Sequence, residues 1–307
     1  MDFRDFKNDR YFQEYLRKKK EEKQLTEERR RKRIIQQNRE RRMRYQLMLQ
    51  QQQLSQIGAV ASTSAGTSEE AETVPIITEN LVFHIDAANT DSYPGSGTTV
   101  SDLVGSNDAT LNNGTLFTSD NGGAFIFDGI NDYISIPDNN VFSFGNSSAD
   151  SPFTFEAWIN PTDATNFRII AKFASGVREY FFSTSTDDTL ICVLYDYSSN
   201  FIFEYAKTTS TLSDGQWANV AVTYDGRGGA GARNGIEIYI NGQIQTVTRV
   251  VNGTYTAMKN GFQPVDIGRF NATTFANGKL SVLKVYDTDL IASEVLQNYN
   301  ALSSRYI

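Results

Sequence analysis

The chain has 307 residues, 39% of them hydrophobic, with one cysteine, one histidine and a formal charge of −7. That length allows one large β-sandwich plus an extension, and the lone Cys192 excludes an intramolecular disulfide, so a packed core must hold the fold. The net charge hides a division: residues 1–57 carry 17 Lys/Arg and 9 Asp/Glu while the rest of the chain carries 12 and 27, so a +8 arm precedes a −15 body.

The N-terminal stretch MDFRDFKNDRYFQEYLRKKK has no apolar h-region, and no segment approaches the roughly 18 uninterrupted apolar residues of a membrane span. Neither Sec export nor membrane residence is expected. Residues 2–57 lack Pro and Gly and are rich in Arg, Lys, Glu, Gln and Leu, which predicts one or two long helices. Fully helical, the segment would reach about 85 Å. Its apolar groups cluster at the ends: Phe3, Phe6, Phe12, Tyr15 and Leu16 first, then Ile34, Ile35, Met43, Leu47, Met48 and Leu54. From Arg17 to Arg33 only Leu25 is apolar, so no heptad seam runs through the middle and a continuous coiled coil is not expected. The aromatic cluster makes docking onto other proteins the leading reading of the arm, because phosphate binding gives no reason for Phe3, Phe6 and Phe12. RRRKR at 29–33 leaves nucleic-acid contact and a solvated, self-paired helix as alternatives.

Residues 58–80, opening GAVASTSAGTSEEAETVP, are rich in Ser, Thr, Ala and Glu and have too little apolar matter to bury, which marks a linker. From Leu81 to the end the pattern changes to period two. FTFEAWIN at 153–160 puts Phe153, Phe155, Ala157 and Ile159 on one face, and IEIYINGQ at 236–243 does the same with Ile236, Ile238 and Ile240 before an Asn241-Gly242 hairpin signal. Similar runs are LVFHID, AFIF, DYISI, RIIAKF, EYFFST, TLICVLY, FIFEYAK, WANVAVTY, QIQTV, PVDIG and KLSVLKVY, whereas IASEVLQNYNAL alone has helical spacing. Short strands punctuated by turns, with almost no helix, predict a mainly β body: a two-sheet antiparallel sandwich of jelly-roll type.

Six segments in order carry a resemblance: LVFHIDAANTDSYPGSGTTVSDLVGSNDATLNNGTLF, FIFDGINDYISIP, FTFEAWINP, GQWANVAVTYDG, IEIYINGQ and NGKLSVLKVYDTDLIASEVLQNYNALSSRY. From about Leu81 to Tyr306 the chain resembles the concanavalin A-like, laminin-G-like jelly-roll domains, and its opening and closing motifs look most like the versions in structural proteins of phages and other viruses. The resemblance implies a module that binds carbohydrate or decorates a surface, in some members with calcium at the sandwich rim. Fold alone transfers none of these roles.

Hydrolysis of a glycan needs two carboxylates about 5–5.5 Å apart in retaining enzymes, usually from a Glu-X-Asp-X-Glu strand. No such run occurs, and Glu156, Glu204 and Glu237 each stand among apolar or amide neighbours, so an enzyme is not expected. His84, inside LVFHID, reads as a structural strand residue and Cys192 as a small buried hydrophobe. Asp128, Asn131 and Asp132 could offer calcium several oxygens from one loop. Against this, related domains often close on Gly-X-Ile-Asp-Glu-Val, whereas here Ser281 and Val282 stand where the acidic pair would be. The favoured reading of Asp128-Gly129 is a hairpin turn, with Asp132 bonding loop amides. Tyr195 and Tyr197, in YDYSSNF, are the candidate glycan-stacking residues. The acidic body favours neutral or cationic partners.

The sequence therefore points to a non-enzymatic virion component: an anchoring arm at 1–57 that binds other virion proteins, and a jelly-roll head at 81–307 that decorates the particle or meets host-surface glycans. A homo-oligomer assembled through the arm fits this reading. The alternatives are a free lectin, a polysaccharide enzyme and a capsid-interior protein that meets nucleic acid through the arm.

Overall fold

The computed structural model describes residues 14, 17–19, 75–174, 176–196, 202–271 and 273–307. The chain divides into two units, Met1–Glu70 and Ala71–Ile307. In the first, residues 14 and 17–19 are helical, and Lys18 Nζ lies 3.4 Å from Glu14 Oε1, one turn away. A long N-terminal helix has no support beyond those residues. The rest of the expected arm, including Phe3, Phe6, Phe12, Tyr15 and Leu16, lies outside the described residues.

The second unit is a sandwich of two antiparallel sheets. The eight-stranded sheet runs in the order Gln243–Ile244, Ile236–Ile240, Ala218–Tyr224, Phe153–Asp163, Asn277–Tyr286, Ala124–Asp128, Leu116–Thr118. Its long strand Asn277–Tyr286 has two partners on one side, Ala124–Asp128 beside its first half and Leu81–Asp86 beside its second. The nine-stranded sheet runs Val247–Asn252, Ile202–Thr211, Thr189–Asp196, Val177–Thr184, Arg168–Ala174, Val265–Ile267, Tyr133–Ile136, Ala109–Asn112, Thr99–Val100.

Period-two alternation sends Phe153, Phe155, Ala157 and Ile159 inward, where they meet Tyr180, Phe182, Cys192 and Leu194 of the facing sheet in one core. Rings dominate it: Phe153 stacks on Phe155 at 4.4 Å, Phe155 meets Tyr180 at 4.9 Å, and Phe144 leans on Phe153 at 4.9 Å. Each such pair adds about 0.5–1.5 kcal/mol beyond the area it buries. Tyr180, fully buried, donates its hydroxyl to the Phe142 carbonyl at 2.9 Å.

The outer face of the eight-stranded sheet is covered. The helix Ala292–Ser303 and residues 75–80, expected as linker, lie on it, and Leu81, Ala221, Tyr239, Tyr286, Leu290 and Val295 form a second small core there with Ile76 and Ile77 packed against it. Gly242, at φ 72°, turns the Asn241 hairpin so close beneath this helix that a Cβ would stand 2.9 Å from Leu296 Cδ1. Covering that face buries groups that alternation places outward. Glu156 accepts from Lys284 Nζ at 2.9 Å, from Asn219 Nδ2 at 3.0 Å and from Asn298 Nδ2 at 2.6 Å, and all four residues are fully buried. Asn298 Oδ1 in turn accepts from the Ile77 amide at 2.7 Å, so the network ties sheet, helix and residues 75–80 together.

Ser281, which replaces an expected acidic residue, sits where the register of its strand shifts against Phe153–Asp163. Its hydroxyl donates to the Gly123 carbonyl at 2.5 Å and accepts from Tyr306 at 2.7 Å and Arg305 at 3.1 Å. Asp86 supplies the carboxylate instead, meeting Arg305 through two bonds of 2.8 and 3.0 Å. Among the described residues no helix is long and apolar enough to cross a membrane.

Removing one partner of a buried pair strands the other charge, at a cost of about 3–5 kcal/mol. Urea denaturation of Glu156→Gln should show a loss of that order, and the double variant Glu156→Gln/Lys284→Met should recover part of it. A single variant as stable as the parent would contradict the assignment.

Candidate functional site

The outer face of the nine-stranded sheet has no helix over it among the described residues, and alternation fills it with rings. Register places Tyr195 beside Phe203, and Val193 between Phe181 and Tyr205. Tyr195 therefore meets Phe173 at 5.4 Å, Phe203 at 5.9 Å and Phe181 at 6.2 Å between ring centres. Phe203 stacks with Tyr205 at 6.0 Å. The hairpin formed by Arg269–Phe270 and Thr274–Phe275 adds Phe270, 4.1 Å from Phe173 and 5.0 Å from Phe181. Phe181, Tyr195, Phe203, Tyr205 and Phe270 are half-buried, so ring surface stays open to solvent.

Two guanidinium groups lie over this floor. Arg168 stands 5.0 Å from the Phe270 ring centre and 6.0 Å from that of Phe181, while Arg178 stands 5.3 Å from Phe173 and 5.9 Å from Tyr195. At these distances the guanidinium charge is attracted to the ring faces. Burial pushes the Tyr195 hydroxyl up to about 12, opposed by the nearby charges of Arg178 and Arg168. Tyr195 thus keeps its proton at neutral pH and offers both a donor and an acceptor between two cations. Rings that stack on C–H surfaces, with fixed polar groups at their edges, suit a small ligand with one apolar and one hydroxyl-rich face.

The loop raised as a calcium candidate is built differently. Asp128 Oδ1 accepts from the amides of Ile130, Asn131 and Asp132 at 2.8, 3.1 and 3.4 Å, and Asp132 Oδ2 accepts from the Asp128 amide at 3.2 Å. These amides, the Ile130 bond foremost, hold the Asp128 carboxyl below its ordinary value, while burial and then the Asp128 charge push Asp132 up. The Asn131 carbonyl accepts from Asn113 Nδ2 at 2.9 Å. Gly129, at φ 77°, makes the turn. Among the described residues no group of three or more His, Cys, Asp or Glu could hold a metal. Asp128, Asn131 and Asp132 lie in a turn whose amides the two carboxylates cap.

Carboxylates that looked solitary in the sequence are paired. Glu204 accepts from the Gly231 and Arg233 amides at 3.0 and 2.6 Å and meets Arg233 Nη1 at 3.0 Å, and Glu237 meets Arg249 at 3.1 Å. Lys172 Nζ, fully buried, meets Glu179 at 2.9 Å and Asp138 at 2.8 Å, a cluster no sequence signal announced. His84 is largely buried, which lowers its pKa to about 4 and leaves it neutral. Tyr197 lies outside the described residues, so of the two tyrosines singled out only Tyr195 is placed. Arg168, Arg178, Phe173, Phe181, Phe203 and Phe270 were missed; the three successive rings of EYFFST, which put one on the outer face, and the alternating rings of FIFEYAK were the available signal.

Asp150 supplies a pH handle. It accepts from the Tyr224 and Tyr255 hydroxyls at 2.7 and 2.8 Å and from the Met258 amide at 2.7 Å, yet burial outweighs these bonds and raises its pKa to about 6. A carboxyl raised in the folded state contributes stability that is present below its unfolded value and lost as pH rises through the folded one. Two units correspond to about 3 kcal/mol. Urea unfolding between pH 4 and 7 should show Asp150→Asn with a flatter decline than the parent by roughly that amount; identical slopes would contradict the assignment.

Comparison with known proteins agrees with this architecture. A family profile described as the concanavalin A-like lectin/glucanases superfamily matches residues 127–296. No curated protein sequence matches. Among solved structures, domain 4 of the extracellular GH43 arabinanase AbnA from Geobacillus stearothermophilus, in complex with arabinotriose, superposes with TM-score 0.52 and 16% identity, over 72% of this chain and 98% of that one. The binding domain of Paraclostridial Mosquitocidal Protein 1 gives 0.54 and 17%, over 73% and 52%. Trypanosoma rangeli sialidase gives 0.52 and 14%, over 85% and 39%. The chain thus spans about half of the toxin domain and less of the sialidase, and at these identities the likeness is one of fold.

Proposed function

We propose that this chain, which belongs to the concanavalin A-like lectin/glucanases superfamily, is a non-enzymatic glycan-recognition head whose binding face is the outer side of the nine-stranded sheet. The observation that carries the reading is the floor of half-buried rings around Tyr195, crossed by two guanidinium groups. Saccharides present C–H faces and hydroxyl edges, which such a floor and its polar rim can take up together. The arabinanase domain solved with arabinotriose supports the choice of ligand class by analogy of fold. The non-enzymatic part rests on the carboxylates: Glu156, Glu179 and Glu204 are fully buried and each is held by hydrogen bonds within the protein.

The wider setting we propose is a virus particle, with residues 1–57 as the anchoring arm and the head displayed outward. Its support is the sequence: the viral cast of the opening and closing motifs, the split into a +8 arm and a −15 body, and the aromatic cluster at Phe3, Phe6 and Phe12. A chain lacking residues 1–57 should stay folded but be absent from purified particles by mass spectrometry; normal incorporation would remove the anchoring role.

On a glycan array the full-length protein should bind at least one saccharide, and Tyr195→Ala should lower that affinity about tenfold, the loss of one stacking contact of about 1–2 kcal/mol. A blank array would contradict the recognition role. Undiminished binding by Tyr195→Ala would move the site elsewhere.

A further inference from the structure

Arg168 differs from six other cations that the head buries wholly or in part. Lys172, Lys284, Arg233, Arg249, Arg269 and Arg305 each meet a carboxylate within 3.1 Å. Arg168 meets neutral oxygens: Nη1 donates to Ser183 Oγ at 3.0 Å and Nη2 to Asn166 Oδ1 at 3.2 Å. Its Nε is shut off from water and has no partner. Burial lowers its pKa to about 10, so it remains charged at neutral pH. A charge held away from water is costly unless an opposite charge answers it. A body with 27 acidic groups places none within ion-pair distance of this one among the described residues.

The surroundings say what kind of anion would answer it. A guanidinium is planar and offers parallel N–H groups that match a carboxylate. Phe181 and Phe270 lie beside the Arg168 guanidinium, and the rest of the floor continues from them: Phe173 touches Phe270, and Tyr195 touches Phe173. A ligand seated there needs a carboxylate attached to a ring with an exposed C–H face. The −15 charge of the body works against a long polyanion, whose many charges would be repelled over the whole surface, and leaves a single acidic unit read at one point.

We propose that Arg168 is the anion-reading residue of the aromatic face and that the ligand is a saccharide bearing a carboxylate, a uronic or sialic acid unit. This rests on the recognition role given to that face. It revises the expectation, drawn from net charge alone, that partners are neutral or cationic.

The test uses the full-length protein and an array in which oligosaccharides with uronic acid or sialic acid units are each paired with the carboxyl-reduced form. The expected result is binding to one of the two acidic classes that falls tenfold or more on reduction of the carboxyl. The same ligand should be lost to a similar degree by Arg168→Gln, and partly by Arg168→Lys, which keeps the charge but not the planar fork. The paired ligands read the parent protein alone, so the result stands even where a variant folds poorly. Equal binding to acidic and reduced members, or binding to neutral saccharides only, overturns the role of Arg168 and leaves the recognition face in place. No binding to any saccharide overturns both.

Discussion

The ring of Phe155 meets that of Tyr180 at 4.9 Å across the middle of the sandwich, and this contact fixes which side of every neighbouring strand looks inward. Alternation allows no partial choice: a strand that slips by one residue exchanges all its inner and outer side chains. With Phe153, Phe155, Tyr180, Phe182 and Leu194 committed to the interior, Glu156 and Lys284 must face out from one sheet, and Phe181, Tyr195 and Phe203 from the other. The two outer faces then meet different fates. One is roofed by the helix Ala292–Ser303 and residues 75–80, and its polar groups become a buried network; the other keeps its rings half open to water.

That difference explains how the same kind of outward position can be structural on one sheet and receptive on the other. Under the helix, Trp158 is stacked between Tyr299 at 5.6 Å and Tyr306 at 4.1 Å, and both outer rings belong to the chain itself. Across the sandwich, Tyr195 has ring neighbours along the sheet and Phe270 meets them from its hairpin, and both rings stay half-buried. Exposed rings on a sheet face carry a hydrophobic cost that a bound partner removes, which makes that face the place to look for function.

Much of this was legible in the sequence, for a physical reason. Strands of five or more residues whose core-facing apolar side chains alternate with other types write their period plainly, as FTFEAWIN and IEIYINGQ do, and the helix betrays itself through Val295, Asn298 and Tyr299 on one side of IASEVLQNYNAL. Thr99–Val100 and Arg269–Phe270 are two residues long and have no period to read. The turn at Asp128-Gly129 was legible because Asp and Gly carry its geometry locally, with the Asp128 carboxylate accepting from the loop amides. The aromatic face was legible only through Tyr195. Its other members come from four strands between Arg168 and Phe270, and only antiparallel register brings them together. The buried pair Glu156–Lys284 was illegible because a charged residue at an outward position reads as solvated until something distant covers it, and Lys172–Glu179 because Lys172, which shares the inward face with Tyr180, meets carboxylates from other segments of the chain.

The account stands or falls on where a ligand sits. A crystal structure of the protein soaked with an acidic oligosaccharide addresses this directly. The account predicts a sugar ring resting on the Tyr195–Phe173–Phe270 floor with its carboxylate in hydrogen-bond distance of Arg168. A saccharide ordered anywhere else on the head, with that floor bare, would contradict it.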